Sequence, residues 1–162
     1  MPEGRYPPVA ELLPHRGPAI LLHRVLRHDE RETRCLVRVD DSTLFARADG
    51  SVPAWIGLEY MAQTVAAHGG LLDRAAARPP RPGLFLGSRR LAFAVDRFEA
   101  GTVLEARARH LRGNAQMMAF DCSLLARDGD SVLVSGILNV YLVDSFEALT
   151  SDFRRQERDD AD

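Results

Sequence analysis

Val52-Pro-Ala-Trp-Ile-Gly-Leu-Glu-Tyr-Met-Ala-Gln-Thr-Val-Ala-Ala-His-Gly-Gly-Leu-Leu-Asp-Arg-Ala-Ala-Ala77 decides how the rest of this 162-residue chain is read. Its apolar residues Ile56, Leu58, Met61, Ala62, Val65, Ala66, Leu71 and Leu72 spread around a helix instead of forming one stripe. A helix of that kind is enclosed by protein on most sides. Pro53 suits a first helical turn, with Ser51 or Asp49 as its cap. Gly57, Gly69 and Gly70 cost helix propensity but allow a tightly wrapped sheet to approach the backbone. The helix is expected over Val52 to Ala77, ended by Ala77-Arg-Pro-Pro-Arg-Pro-Gly83.

On both sides the period changes from helical to alternating. Pro7, Pro8 and Pro14 bracket Val9 to Leu13, enough for one turn, and Ala19 to His28 then reads as a strand. Beyond a loop at His28 to Arg31, the residues Thr33, Cys35, Val37 and Val39 alternate with Arg34, Leu36 and Arg38 as in a half-buried strand. After the helix, strands are expected over Leu84 to Val95, Thr102 to Arg112, Ala115 to Ala126 and Val132 to Val143. Gly113-Asn114 and Asp128-Gly129 supply the positive φ that tight hairpins need. Asp144 with Glu147 resembles a capping box, and Phe146, Leu149 and Phe153 follow at helical spacing. The expected layout is one α+β domain over residues 1–143, an antiparallel six-stranded sheet around a central helix, with a short helix and charged tail over 144–162. Such a sheet has edges, so pairing with a second copy is expected.

Composition removes several classes of function. At 46% hydrophobic and 27% charged, the chain is globular and not disordered. All 21 basic residues are arginine, which excludes every lysine-dependent chemistry. A net charge of −2 with no basic face argues against nucleic acid. Cys35 and Cys122 are solitary and read as small core residues of a reduced compartment. Prolines and charges over Met1 to Arg16 do not form a signal peptide, and the uncharged run Tyr60 to Leu72 is too short to span a membrane. A cytoplasmic protein is expected.

Glu59 is the lone carboxylate in the apolar part of the helix, with no base nearby in sequence. A carboxyl kept dry among Leu58, Met61 and Ala62 holds its proton at neutral pH and can act as an acid. Gln63, four residues on, shares its face and can orient it. His68, nine residues on, falls on the opposite face, and His110 continues the inward row of Leu104, Ala106 and Ala108. His23 and His28 point to opposite sides of a strand, so no metal site is expected. His15, held in the rigid turn Leu12-Leu-Pro-His-Arg-Gly-Pro18, is the leading partner for Glu59.

Three motifs in order carry a family resemblance: Leu12-Leu-Pro-His-Arg-Gly-Pro18 continuing to Ile20-Leu-Leu-His-Arg-Val-Leu26, Pro53 followed by Leu58-Glu-Tyr-Met-Ala-Gln63, and Phe85-Leu-Gly87 through Phe93 to Ala100-Gly101. Together they resemble the FabZ-type 3-hydroxyacyl-acyl-carrier-protein dehydratases of the hotdog fold. The reading at Pro53 to Gln63 is similar to the dehydratase-like proteins of aryl polyene biosynthetic clusters. The resemblance implies a dehydratase of 3-hydroxyacyl thioesters with Glu59 as acid, no cofactor, and acyl carrier protein with its phosphopantetheine-linked chain as partner. It also implies a homodimer, or a heterodimer with another hotdog dehydratase. The family's catalytic histidine, in a Gly-His-Phe-Pro segment ahead of the helix, has no counterpart in Leu44-Phe-Ala-Arg-Ala-Asp-Gly50. The base is then His15, Asp49 from a neighbouring protomer, or Glu59 acting twice.

Amides near Ala54 and Trp55 are placed to receive the thioester oxygen, Trp55, Phe85 and Phe93 to line the acyl chain, and Arg89, Arg90 and Arg97 to meet the acidic carrier. Without the usual histidine, two alternatives stay open: a thioesterase of the same fold, and a subunit that completes its site with a second hotdog protein.

Overall fold

The computed structural model describes residues 6–40, 43–114, 116–129, 131–145 and 147. Six antiparallel strands form the main sheet: β1 (Arg24–His28), β2 (Glu32–Arg38), β4 (Gly83–Phe93), β6 (Val103–Gly113), β7 (Met117–Ala126) and β8 (Val132–Leu142). A two-residue strand β3 (Val52–Pro53) pairs with β5 (Arg97–Phe98) beside the start of the helix α1 (Gly57–Ala75). The sheet order is β1-β2-β6-β7-β8-β4, so the chain crosses from β2 through α1 to the opposite edge at β4, crosses back to β6 beside β2, and fills the middle with the hairpins β6-β7-β8. The helix lies across the inner faces of β2, β6 and β7, against Cys35, Val37, Leu104, Ala106, Phe120 and Leu124. Alternation puts those side chains inward and Arg34, Glu105 and Arg107 outward, where they join in ion pairs. Cys35 and Cys122 are buried thiols on this inner face. Burial pushes the Cys35 thiol up to about 12 and Cys122 higher still.

Two boundaries differ from the sequence expectation. Ala19 to Leu22 does not join a strand ladder: the His23 amide is the first to reach β2, donating to the Leu36 carbonyl at 2.8 Å, and β1 opens at Arg24, because the Gln63 side chain takes the Ala19 carbonyl and the Leu21 amide. Likewise Pro53 lies in β3, a 3₁₀ turn occupies Ala54–Ile56, and α1 begins at Gly57 without a side-chain cap. Asp49 caps something else, accepting from Ser51 N at 3.0 Å and Ser51 Oγ at 2.6 Å. The expected terminal helix with Phe146, Leu149 and Phe153 lies outside the described residues.

The helix docks through one of its paired glycines. A Cβ on Gly70 would stand 2.3 Å from the Leu12 carbonyl oxygen, whereas one on Gly69 meets nothing within 4 Å. Gly70→Ala is therefore expected to cost about 2 kcal/mol by displacing the Leu12 backbone. Gly69→Ala is expected to gain up to about 1 kcal/mol of helix propensity. Urea unfolding of both variants checks the opposite signs.

At the sheet's far edge β4 has eleven residues, two bulges and one side without a strand partner among the described residues. Arg89 and Arg90 are exposed there.

Candidate active site

Glu59 sits in the first turn of α1 and faces the loop that carries His15. That loop is fixed by its own chemistry: Leu12 and Leu13 are buried, and the Arg16 guanidinium donates to the carbonyls of Leu13 (2.8 Å) and His15 (2.7 Å). His15 Nε2 consequently lies 3.3 Å from Glu59 Oε1. Gln63 Nε2 donates to the same oxygen at 2.9 Å and to the Ala19 carbonyl at 2.7 Å, while Gln63 Oε1 accepts from Leu21 N at 2.9 Å. Gln63 is 1% exposed and fully engaged, so it cannot turn away from the carboxylate.

Both contacts fall on Oε1, and Oε2 has no partner among the described residues. The arrangement presents one carboxyl oxygen outward while anchoring the other. His15 spends Nε2 on Glu59, and its Nδ1 is buried with no partner. The structure thus brings Glu59, His15 and Gln63 together. It does not keep Glu59 dry: the side chain is 41% exposed, because the first helical turn opens at the rim of the sheet. The burial expected for Glu59 within this chain is absent.

The residues expected around the acyl chain are dispersed. The Ala54 amide donates to the Asp96 carbonyl at 3.0 Å and is not open to a thioester oxygen. Trp55 is 62% exposed, its ring 6.2 Å from that of Phe45. Phe85 and Phe93 lie toward opposite ends of β4, pairing with Val140 and Val134, and line different hollows. Arg97 is tied to Glu99 at 2.7 Å, and Asp49 is held in its ionised form by the Ser51 hydroxyl and amide.

A second polar cluster lies deeper. The Thr33 hydroxyl stands between His28 Nδ1 (2.7 Å) and His68 Nδ1 (2.9 Å), and the rings of His68 and His110 each pack edge-on to Phe120. Burial lowers His68 to about 4, with His28 and His110 adding to the effect and Asp29 opposing it. The sequence placed His68 on the face away from Glu59, and nothing in its spacing showed that strand β2 would meet it with a hydroxyl. Among the described residues no group of three His, Cys, Asp or Glu side chains is arranged to hold a metal ion, and no helix is long and apolar enough to cross a membrane.

An antiparallel sheet of this order wrapped on one long helix is the hotdog fold. Residues 7–151 match the model of the ApeP-like family, the ApeP dehydratase, and the chain belongs to that family of dehydratases. It is similar to the dehydratase heterocomplex ApeI:P from Xenorhabdus doucetiae, with 31% identity and a TM-score of 0.83 over 90% of this chain and 97% of that one. Two more distant structures share the fold. Zebra fish thioesterase superfamily member 2 matches at 12% identity and a TM-score of 0.59, covering 83% of this chain and 91% of its own. A hypothetical thioesterase from Streptococcus pneumoniae, solved with coenzyme A, matches at 9% and 0.58, covering 75% and 85%. No curated protein matches the chain by sequence.

Proposed function

We propose that this dehydratase acts on 3-hydroxyacyl thioesters carried on the phosphopantetheine arm of acyl carrier protein, in the synthesis of fatty-acid-like or aryl polyene chains, with Glu59 as the acid. The observation that carries the reading is the double anchoring of Oε1 by His15 and Gln63, which leaves Oε2 to meet substrate. Cover from a second hotdog chain and the substrate supplies the dryness that this chain alone does not, and Oε2–H then gives its proton to the departing 3-hydroxyl, which leaves as water. A base removes the C2 proton, and the electrons form the C2–C3 double bond of the enoyl thioester.

His15 is poorly placed to be that base while Glu59 is the acid. Its one nitrogen near the site already faces Glu59, and the other is buried. Its role here is positioning. The base then comes from a second hotdog chain, a reading supported by the heterocomplex described for ApeI:P. The unpaired edge of β4 is where such a chain adds to the sheet. Exposed Arg89 and Arg90 offer charge to an acidic carrier or its phosphate.

Mass spectrometry of carrier-bound substrate tests the proposal. The chain alone is expected to leave the substrate nearly unchanged, and mixing with a partner hotdog dehydratase is expected to give loss of water exceeding that of the partner alone. Full turnover by the chain alone would refute the borrowed base, and release of the carrier thiol without enoyl product would refute dehydration in favour of hydrolysis.

A further inference from the structure

The outer face of the sheet carries a charge pattern that no single stretch of sequence contains. Paired residues of antiparallel strands point to the same side, and four successive rows across β1, β2 and β6 point away from α1. Arg38 stands beside Val103 in the first row, and Arg24 beside Leu36 and Glu105 in the second. Arg27, Arg34 and Arg107 stand side by side in the third, and Glu32, Arg109 and Asp121 of β7 form the fourth. Six arginines share this surface with three carboxylates, on a chain whose net charge is −2. The sequence showed no basic face because the six come from three strands that only the fold brings together.

That charge is unevenly neutralised. Arg34 is paired with Glu32 and Glu105, Arg107 with Glu105, Arg109 with Asp121, and Arg27 with Asp29 at 3.4 Å. Arg24 and Arg38 have no carboxylate partner among the described residues. The free pair marks the end of the face nearest the candidate active site. Arg38 and Leu21 line one hollow, in which Asp40 is the one carboxylate, and Leu21 N is held by Gln63, which holds Glu59.

Few partners fit such a surface. The interspersed carboxylates repel a phosphate polymer, and a lipid surface needs apolar side chains to insert, whereas these rows expose only Val103. A folded acidic protein answers both, with separated carboxylates against Arg24 and Arg38 and an apolar contact on Val103. Strands β1 and β4 are opposite edges of the sheet, so a second hotdog chain added at β4 leaves this face open. Resting on the dehydratase reading for the identity of that protein, we infer that acyl carrier protein docks on the outer face of β1, β2 and β6, with Arg24 and Arg38 as its principal contacts. Its phosphopantetheine arm passes round the segment from Pro18 to His23 toward Glu59.

Titration with a bacterial holo-acyl carrier protein, its phosphopantetheine thiol unacylated, tests the surface without any reaction. Binding is expected to weaken about tenfold when Arg24→Glu and Arg38→Glu are combined, and to weaken in the wild type as salt rises. In the wild type, amide NMR resonances of β1, β2 and β6 are expected to shift on binding. Shifts confined to β4 would overturn the inference, even if the variant does not fold. Undiminished binding by the folded variant, beside a loss in Arg89→Glu combined with Arg90→Glu, would overturn it too, as would tighter binding of phosphatidylglycerol vesicles or duplex DNA than of the carrier. Water loss from a carrier-free 3-hydroxyacyl N-acetylcysteamine thioester in the two-chain enzyme judges the dehydratase reading separately. No loss, beside carrier binding that depends on Arg24 and Arg38, would count against dehydration and leave the docking surface standing.

Discussion

Glu59→Gln is expected to slow enoyl formation about 10³-fold while leaving the fold and substrate affinity nearly unchanged. The glutamine carbonyl can occupy the place of Oε1 and accept from Gln63, so the anchoring survives. What disappears is a transferable proton at the second position, since an amide N–H is far too weak an acid to assist a leaving hydroxyl. General acid assistance is worth about 10²–10⁴ in rate, and a loss of 10³ corresponds to about 4 kcal/mol in the barrier. The rise of enoyl absorbance in the two-chain enzyme measures it. A variant running at the wild-type rate would remove Glu59 from the reaction.

Acid should weaken the fold well before its carboxylates protonate. His68 stays neutral in the folded chain down to about 4, whereas an unfolded histidine takes its proton near 6.5. Between those values the unfolded state binds more protons, so stability falls as pH falls, by roughly 3 kcal/mol over the window. His28, lowered by its own burial against the pull of Asp29, contributes in the same direction, and His110 faces the cluster across Phe120. Asp73 supplies the contrast. Burial alone would raise it, but the Arg81 side chain and amide and the Arg78 guanidinium outweigh this and hold it below the usual carboxylate range. Its stabilisation is complete above about 4 and is lost only as the pH falls further. Urea unfolding from pH 7 to 4 is therefore expected to show a slope that His68→Leu flattens. An unchanged slope in that variant would show that His68 is not the group responsible.

Legibility in the sequence followed the physics of each element. Periodicity marked α1 and the strands because burial on one or both sides leaves a repeating trace, and Asn114 made its turn visible by accepting from the amides of Gln116 and Met117. The segment from Ala19 to Leu22 misled, since its apolar residues read as a strand although a side chain, Gln63, takes the Ala19 carbonyl and the Leu21 amide that a neighbouring strand would have paired. At the candidate site, the meeting of Glu59, His15 and Gln63 was legible from a lone carboxylate, a rigid turn and a helical spacing. The exposure of Glu59 was not, because it depends on where the sheet ends. The Thr33 to His68 contact, 35 residues apart, leaves no local pattern.

The two thiols add a chemical consequence. An enoyl thioester is an electrophile that adds soft nucleophiles at its third carbon, and the species that attack it fastest in proteins are thiolates and free amines. This chain has no lysine, and both cysteines are sealed on the inner face with their protons held firmly. While it remains folded, its side chains offer the product no amine and no accessible thiol, so capture through lysine or cysteine is closed.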